Sequence, residues 1–230
     1  MEILTWNANM GYRTKQRVLL NNYSPDIAAI QECEDPKEYP KLIKEWDDYI
    51  WTGNNKSKGL ALFIRNGKLR RTNNNFRNEY FVTAEHDGNL LVACWTQNNN
   101  EVSQERYIGQ LYSFLSENEG LIKQGRTFIL GDLNWSSSIN ASSPLIGTFS
   151  ETIELIRQHG SLSAYHEYNE TELGQENQST LYMRKKRSDG YHTDYIFTPQ
   201  KYSVEHVEVG QYDFWSSYSD HMPLCARVLL

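Results

Sequence analysis

A chain of 230 residues with 39% hydrophobic content can bury one sizeable core, and no stretch reads as a linker, so residues 1–230 are expected to form a single domain. A formal net charge of −6 and a pI near 5.6 exclude a protein that grips nucleic acid through a generally basic surface, but not one with a local basic patch beside clustered acidic residues. Cys33, Cys94 and Cys225 are odd in number and widely spaced with no CxxC pair, which argues against a disulfide framework or a zinc cluster. Met1 to Trp6 lacks a basic segment followed by an apolar one, and no apolar run reaches membrane-spanning length, so a cytoplasmic, reducing location is expected.

In chain order, Glu2 to Trp6 reads as a strand that empties into the polar loop Asn7-Ala8-Asn9-Met10-Gly11. Arg13 to Asn22 carries Val18, Leu19 and Leu20 and is expected to be a helix closed off by Pro25. The segment from Asp26 is apolar for four residues, Ile27 to Ile30, and ends in Gln31-Glu32, which makes a second strand with a polar end. A helix is expected over Pro36 to Asp48, then strands at Tyr49 to Trp51 and Gly59 to Ile64. The basic segment between Asn66 and Asn78 holds Lys68, Arg70, Arg71 and Arg77, and reads either as a solvated loop or as one that tracks phosphates.

Tyr80 to Ala84 and Asn89 to Trp95 form a hairpin pattern around Asp87-Gly88. Gln104 to Glu117 places Ile108, Leu111, Tyr112 and Leu115 at helical spacing. Thr127 to Leu130 is a buried-strand pattern that breaks at Gly131 and delivers Asp132 and Asn134; if the extended geometry persists, both side chains share one face. Gly, Asp and Asn also favour turns, so the tetrapeptide alone leaves that reading open. A helix over Glu151 to His159, a short strand at Ser161 to Tyr165 and an acidic loop from Glu167 to Gln178 follow. The strongest basic run is Arg184-Lys185-Lys186-Arg187. Strands at Tyr191 to Phe197, Ser203 to Val209 and Cys225 to Leu229 complete an alternation of strands and helices in both halves, the pattern of an α/β protein with more than one sheet.

Asn7, Glu32, Asp132, Asn134, Asp194, Asp220 and His221 all fall at strand ends. Hydrolysis of a phosphodiester needs a hard cation, a base for water, donors for the developing charge and help for the leaving oxygen, and these residue types supply each. Carboxylates and amides without clustered Cys or His suit Mg²⁺, with Mn²⁺ as a substitute, rather than zinc.

Five segments occur in order: Thr5-Trp6-Asn7, Ile30-Gln31-Glu32, Gly131-Asp132-Leu133-Asn134, Thr193-Asp194-Tyr195-Ile196-Phe197 and Ser219-Asp220-His221-Met222-Pro223. Together they resemble the endonuclease/exonuclease/phosphatase superfamily, the group of pancreatic DNase, exonuclease III-like repair enzymes, inositol-phosphate phosphatases and sphingomyelinases. The resemblance covers nearly the whole chain. It implies a four-layer α/β sandwich, two β-sheets packed face to face with helices outside, and a site at the strand ends between the sheets.

The resemblance also implies roles. Glu32 becomes the principal metal ligand with Asn7 beside it and Asp220 assisting, Asp132 orients or deprotonates water, and Asn134 holds a phosphate oxygen and Asp132. His221 donates to the phosphoryl group while Asp194 fixes its tautomer. Many members end the strand equivalent to Leu90–Trp95 in a His or Tyr that reaches the scissile phosphate; here Trp95 aligns, with Gln97 as the rival occupant, and neither titrates. The expected substrate is DNA, with Arg70 and Arg184 to Arg187 as candidate backbone contacts. The competing readings are a phosphatase for a small phosphorylated metabolite or lipid headgroup, and a catalytically silent binding module.

Overall fold

The computed structural model describes residues 1–73, 76, 79–122, 125–141 and 143–230. The chain opens with β1 (Glu2–Asn7), α1 (Tyr12–Asn22) and β2 (Ile27–Cys33), then the hairpin β3 (Asp48–Asn55) and β4 (Lys58–Ile64). A second series follows with β5 (Arg70–Arg71), β6 (Phe81–His86), β7 (Asn89–Trp95), α2 (Ile108–Glu117) and β8 (Thr127–Asp132). The remainder runs α3 (Phe149–Gln158), β9 (Ser161–Ser163), α4 (Ala164–Asn169), β10 (Leu181–Tyr182), β11 (Gly190–Tyr191), β12 (Asp194–Pro199), β13 (Ser203–Val209), α5 (Tyr212–Trp215) and β14 (Leu224–Leu229).

Among the described residues, the strands form two six-stranded sheets, ordered β13-β14-β1-β2-β4-β3 and β5-β6-β7-β8-β12-β9, and a small β10-β11 ribbon. Each sheet is built round a parallel pair, β1 with β2 and β7 with β8, flanked by antiparallel neighbours. A parallel pair cannot be joined by a tight turn, and α1 and α2 lie in the two connections. Alternation sorts the second sheet's faces. Leu90, Val92, Cys94, Ile129, Tyr195 and Phe197 pack beneath α2 and α3, whereas Leu91, Ala93, Trp95, Phe128, Leu130 and Ile196 face the first sheet. On the far side Tyr12 of α1 meets Trp6 of β1 edge-on at 6.3 Å. The result is a four-layer α/β sandwich, as the sequence motifs implied. None of the helices among the described residues is long and apolar enough to cross a membrane.

The helix expected over Pro36 to Asp48 is not formed; a single 3-10 turn, Pro40–Ile43, takes its place. Residues preceding proline are pushed out of the helical region, and Tyr39 before Pro40 sits at φ −125°, ψ 71°. The helix expected from Gln104 starts only at Ile108, because Tyr107 adopts φ +50°. The strand read to Tyr165 stops at Ser163, and α4 takes over the start of the acidic stretch. The Asp87-Gly88 hairpin forms as read, with φ +47° and +73° at its two turn residues.

Gly131, where the sequence pattern breaks, lies within β8, paired with Cys94 and Tyr195, and the strand runs through it to Asp132. Its φ is +156°, and a Cβ there would collide with the Cys94 carbonyl oxygen across the β7–β8 pair. Gly131→Ala is expected to cost about 3 kcal/mol of stability, from backbone strain and overpacking together. Urea denaturation measures it; a loss under about 0.5 kcal/mol would show that the strands separate freely there.

Candidate active site

The polar ends of the inward faces meet at one edge of the sandwich. Asn7 closes β1, Asp132 closes β8 and lies in register with both Trp95 of β7 and Asp194 of β12, and Asp220-His221 leads into β14.

Asp132 is fully buried. Its Oδ1 accepts from the Asn134 backbone N–H at 2.8 Å, and its Oδ2 from Asn7 Nδ2 at 3.0 Å and Asn134 Nδ2 at 3.2 Å. Asp132 and Asn134 therefore converge, but not by strand alternation. β8 ends at Asp132, and Asn134 is reached through an Asx turn in which it adopts φ +46°. Thr96 braces this turn, since its Oγ1 donates to the Leu133 carbonyl and its own carbonyl accepts from Asn134 Nδ2 at 2.9 Å. Burial pushes the Asp132 carboxyl up to about 7, with the Asp194 charge adding to the rise and His221, Asn7 and Asn134 opposing it.

His221 Nδ1 lies 2.9 Å from Asp194 Oδ2, and Nε2 faces Asp132 Oδ2 at 3.8 Å. Burial alone would lower its pKa. The charges of Asp194 and Asp132 and the hydrogen bond to Asp194 outweigh that and carry it up to about 10, so the ring is an imidazolium at neutral pH. Its backbone is fixed as well: His221 N donates to Ser219 Oγ at 3.0 Å, Ser219 Oγ donates to the Asn7 carbonyl at 2.7 Å, and Trp6 Nε1 donates to the His221 carbonyl at 2.9 Å. Asp194 is held by Thr193 Oγ1 at 3.2 Å and, through its backbone N–H, by Thr180 Oγ1 at 3.0 Å, while its Oδ1 is buried without a partner among the described residues.

Glu32 arrives by a different device. Gln31 hydrogen-bonds Thr5 on the inward face, so a regular pleat would turn Glu32 away from the cleft. A β-bulge opens between Gln31 and Cys33 against β4, Glu32 takes φ +56°, and its Oε1 meets Lys58 Nζ at 3.3 Å. The Lys58 ammonium also lies 5.0 Å from the centre of the Trp95 ring.

A model of the endonuclease/exonuclease/phosphatase family matches residues 4–221. The chain belongs to this family. Its members hydrolyse phosphoric esters, and in this chain Asp132, Asp194 and His221 form one buried cluster. Comparison with curated protein sequences found no match. Among solved structures the chain is similar to a 3' phosphatase from Neisseria bound to a product DNA hairpin, with 18% identity, TM-score 0.74 and 100% of each chain covered. It is similar to a 3'-5' exonuclease from Neisseria meningitidis, with 18% identity, TM-score 0.75 and 99% of each chain covered. It also resembles an AP endonuclease from Archaeoglobus fulgidus, with 14% identity, TM-score 0.72 and 100% of each chain covered. At such identities the likeness is one of fold.

Other residues singled out in the sequence fall at different distances from this centre. Asp220 is half-buried, and its backbone carbonyl accepts from Tyr182 N at 2.8 Å, which ties the segment just before the basic run to it. Arg184 and Lys185 both adopt left-handed backbone, and Arg187 is bound to Asp213 at 3.1 and 3.4 Å. Trp95 is 3% exposed, with Tyr80 edge-on at 4.8 Å. Gln97 Nε2 donates to the same Thr96 carbonyl that Asn134 uses.

Arg70 does not approach the site. It pairs with Glu85, opposite Leu90, at the end of β6–β7 remote from Trp95, because the strand register carries β5 there. Arg71 shares that location, and Arg77 lies outside the described residues. Along the chain Lys58 reads only as the end of the polar loop from Asn54, whereas it opens β4, and Lys15 carries no signal of its own within the expected helix. Lys15 Nζ donates to the carbonyls of Ala8, Asn9 and Met10 at 2.6, 3.2 and 2.8 Å, clamping the left-handed loop that follows Asn7. Neither lysine belongs to a motif, and only the folded sheets bring them to the cleft.

Proposed function

We propose that this chain is a divalent-metal-dependent phosphodiesterase that hydrolyses the DNA backbone, with residues 1–230 as one catalytic domain. The observation that carries the reading is the buried Asp132, held by Asn7 and Asn134 and facing an imidazolium that Asp194 orients. In this reading Asp132 takes the proton of the attacking water, Asn134 and Asn7 keep its carboxylate aimed, and His221 donates to the phosphoryl oxygens as negative charge develops there. Arg184, Lys185 and Lys186 follow Tyr182, whose backbone N–H is bonded to the Asp220 carbonyl, and in this reading they provide the local positive surface that an acidic protein needs to hold a phosphate backbone. The 3' phosphatase of similar fold was solved with a DNA hairpin, which supports the same substrate class. The three cysteines are buried and unpaired, in keeping with a reducing, cytoplasmic setting.

The donor set fits a hard cation. Within the buried Asp132-Asp194-His221 group both imidazole nitrogens face carboxylates, so the histidine is engaged as a donor. Glu32, Asn7 and Asp220 offer oxygen atoms at the mouth of the cleft, the chemistry that suits Mg²⁺ or Mn²⁺. A bound cation there would polarise the phosphoryl oxygens.

The test is to incubate the purified protein and Mg²⁺ or Mn²⁺ with plasmid, linear and single-stranded DNA, and separately with inositol phosphates. Cleavage confined to the inositol phosphates would transfer the site to the phosphatase reading, and no turnover on any of them would favour a silent binding module. Glu32→Gln is expected to abolish turnover chiefly by weakening metal binding, with excess Mn²⁺ recovering part of the rate. Wild-type activity and metal affinity in that variant would remove Glu32 from the site.

A further inference from the structure

Lys58 brings its ammonium between Glu32 of the first sheet and Trp95 of the second. It opens β4, and its partner across the two-residue hairpin is Asn55. Alternation puts Lys58 on the face of Leu60, which pairs with the inward-facing Gln31, so its stem leaves the first sheet and crosses to the second. The ammonium ends 3.3 Å from Glu32 Oε1 and 5.0 Å from the centre of the Trp95 ring.

The order of elements then gives the cleft a definite layout. Trp95, Asp132 and Asp194 sit side by side on β7, β8 and β12, and Asn7 reaches Asp132 from β1. A phosphoryl group seated over Asp132 has the imidazolium on its β12 side. On its β7 side stands Trp95, which can neither titrate nor carry charge, with the Lys58 ammonium over its ring.

We propose that Lys58 is a hydrogen-bond donor for phosphate held in reserve by Glu32: its ammonium neutralises the Glu32 carboxylate until a divalent cation takes that carboxylate, and it then donates a hydrogen bond to a phosphoryl oxygen from the Trp95 side. The inference rests on the metal-dependent reading above. Two cations cannot share one carboxylate closely without repulsion, so occupation of Glu32 by the doubly charged ion drives the ammonium off. A flexible four-carbon stem lets the head swing, and the aromatic face keeps it within the cleft. The site thereby delivers a positive charge to substrate only when the metal is in place.

Two measurements on the purified protein test this. Free Mn²⁺ is titrated without substrate and followed by electron paramagnetic resonance for the wild type, Lys58→Met, Lys58→Arg and Glu32→Gln; kcat on linear DNA is measured at saturating Mn²⁺. Lys58→Met should bind Mn²⁺ about threefold more tightly, the worth of a partly exposed ion pair that no longer competes. It should also lose on the order of 10²-fold in kcat. Lys58→Arg should recover much of that rate. Lys58→Gln is the second variant if Lys58→Met fails to show native circular dichroism. Unchanged or weaker Mn²⁺ binding in Lys58→Met, or a kcat within twofold of wild type, overturns the proposal. If Glu32→Gln binds Mn²⁺ as well as the wild type, the metal assignment falls and this proposal with it; if Glu32→Gln binds poorly while Lys58→Met matches the wild type, only the role of Lys58 falls.

Discussion

Asp132→Asn is expected to lower kcat by between about 10² and 10⁴-fold, the range for losing a general base. The substitution preserves volume in a fully buried position, so the backbone bond from Asn134 and the register with Trp95 and Asp194 have no steric reason to change. What changes is the chemistry. An amide cannot take a proton from water, and its NH₂ must confront the donor groups of Asn7 and Asn134 that now point at a carboxylate. Single-turnover kinetics at saturating Mn²⁺ with circular dichroism as a folding control would measure it. A rate within tenfold of wild type would assign the proton transfer to another group.

The pH profile of the wild type follows from the same environment. Burial raises Asp132 to about 7, so the base is lost as pH falls through that value and the rate climbs on the alkaline side of it. His221 is held protonated up to about 10, so donation to the phosphoryl group persists through neutrality and fails above that. The two groups face each other across 3.8 Å, and the limbs report apparent constants of the pair.

His221→Ala should cost on the order of 10²-fold or more in kcat, because it removes the one imidazolium against Asp132. Asp194→Asn should be milder. It leaves the ring in place but removes the charge that holds the pKa up, so the alkaline limb should move down toward neutrality, a shift that a merely structural lesion would not produce. Once His221 is alanine, Asp194 has nothing to orient, and the double variant should lose little more than His221→Ala alone. Additive losses, or an alkaline limb unmoved in Asp194→Asn, would separate the two residues.

Much of this architecture could be read along the chain because its causes are local. The Asp87-Gly88 turn demands left-handed backbone that those residues tolerate, and the apolar runs at Ile27 and Phe128 declare buried strands by continuity alone. Five polar segments in a fixed order were enough to place Asn7, Glu32, Asp132, Asn134, Asp194 and His221 in one family. The helix expected from Pro36 to Asp48 failed for an equally local reason, the exclusion of helical backbone before Pro40.

Other features depend on contacts between distant parts of the chain, and no periodicity could announce them. Strand alternation turns Glu32 out of the cleft; the bulge against β4 turns it back. Alternation places Asn134 beside Asp132 by the wrong route, since the convergence is an Asx turn braced by Thr96, the residue just past the neighbouring strand β7. His221 becomes an imidazolium only because folding buries it between two carboxylates, Asp194 at 27 residues' remove and Asp132 on another strand. Register likewise moved Arg70 to the far end of its sheet and carried Lys58 across to Trp95. The sequence by itself determined which strands and polar groups exist, because turn chemistry and hydrophobic runs act over a few residues. Only the tertiary structure decided which charges face one another, because that depends on how the two sheets pack and on the water their packing excludes.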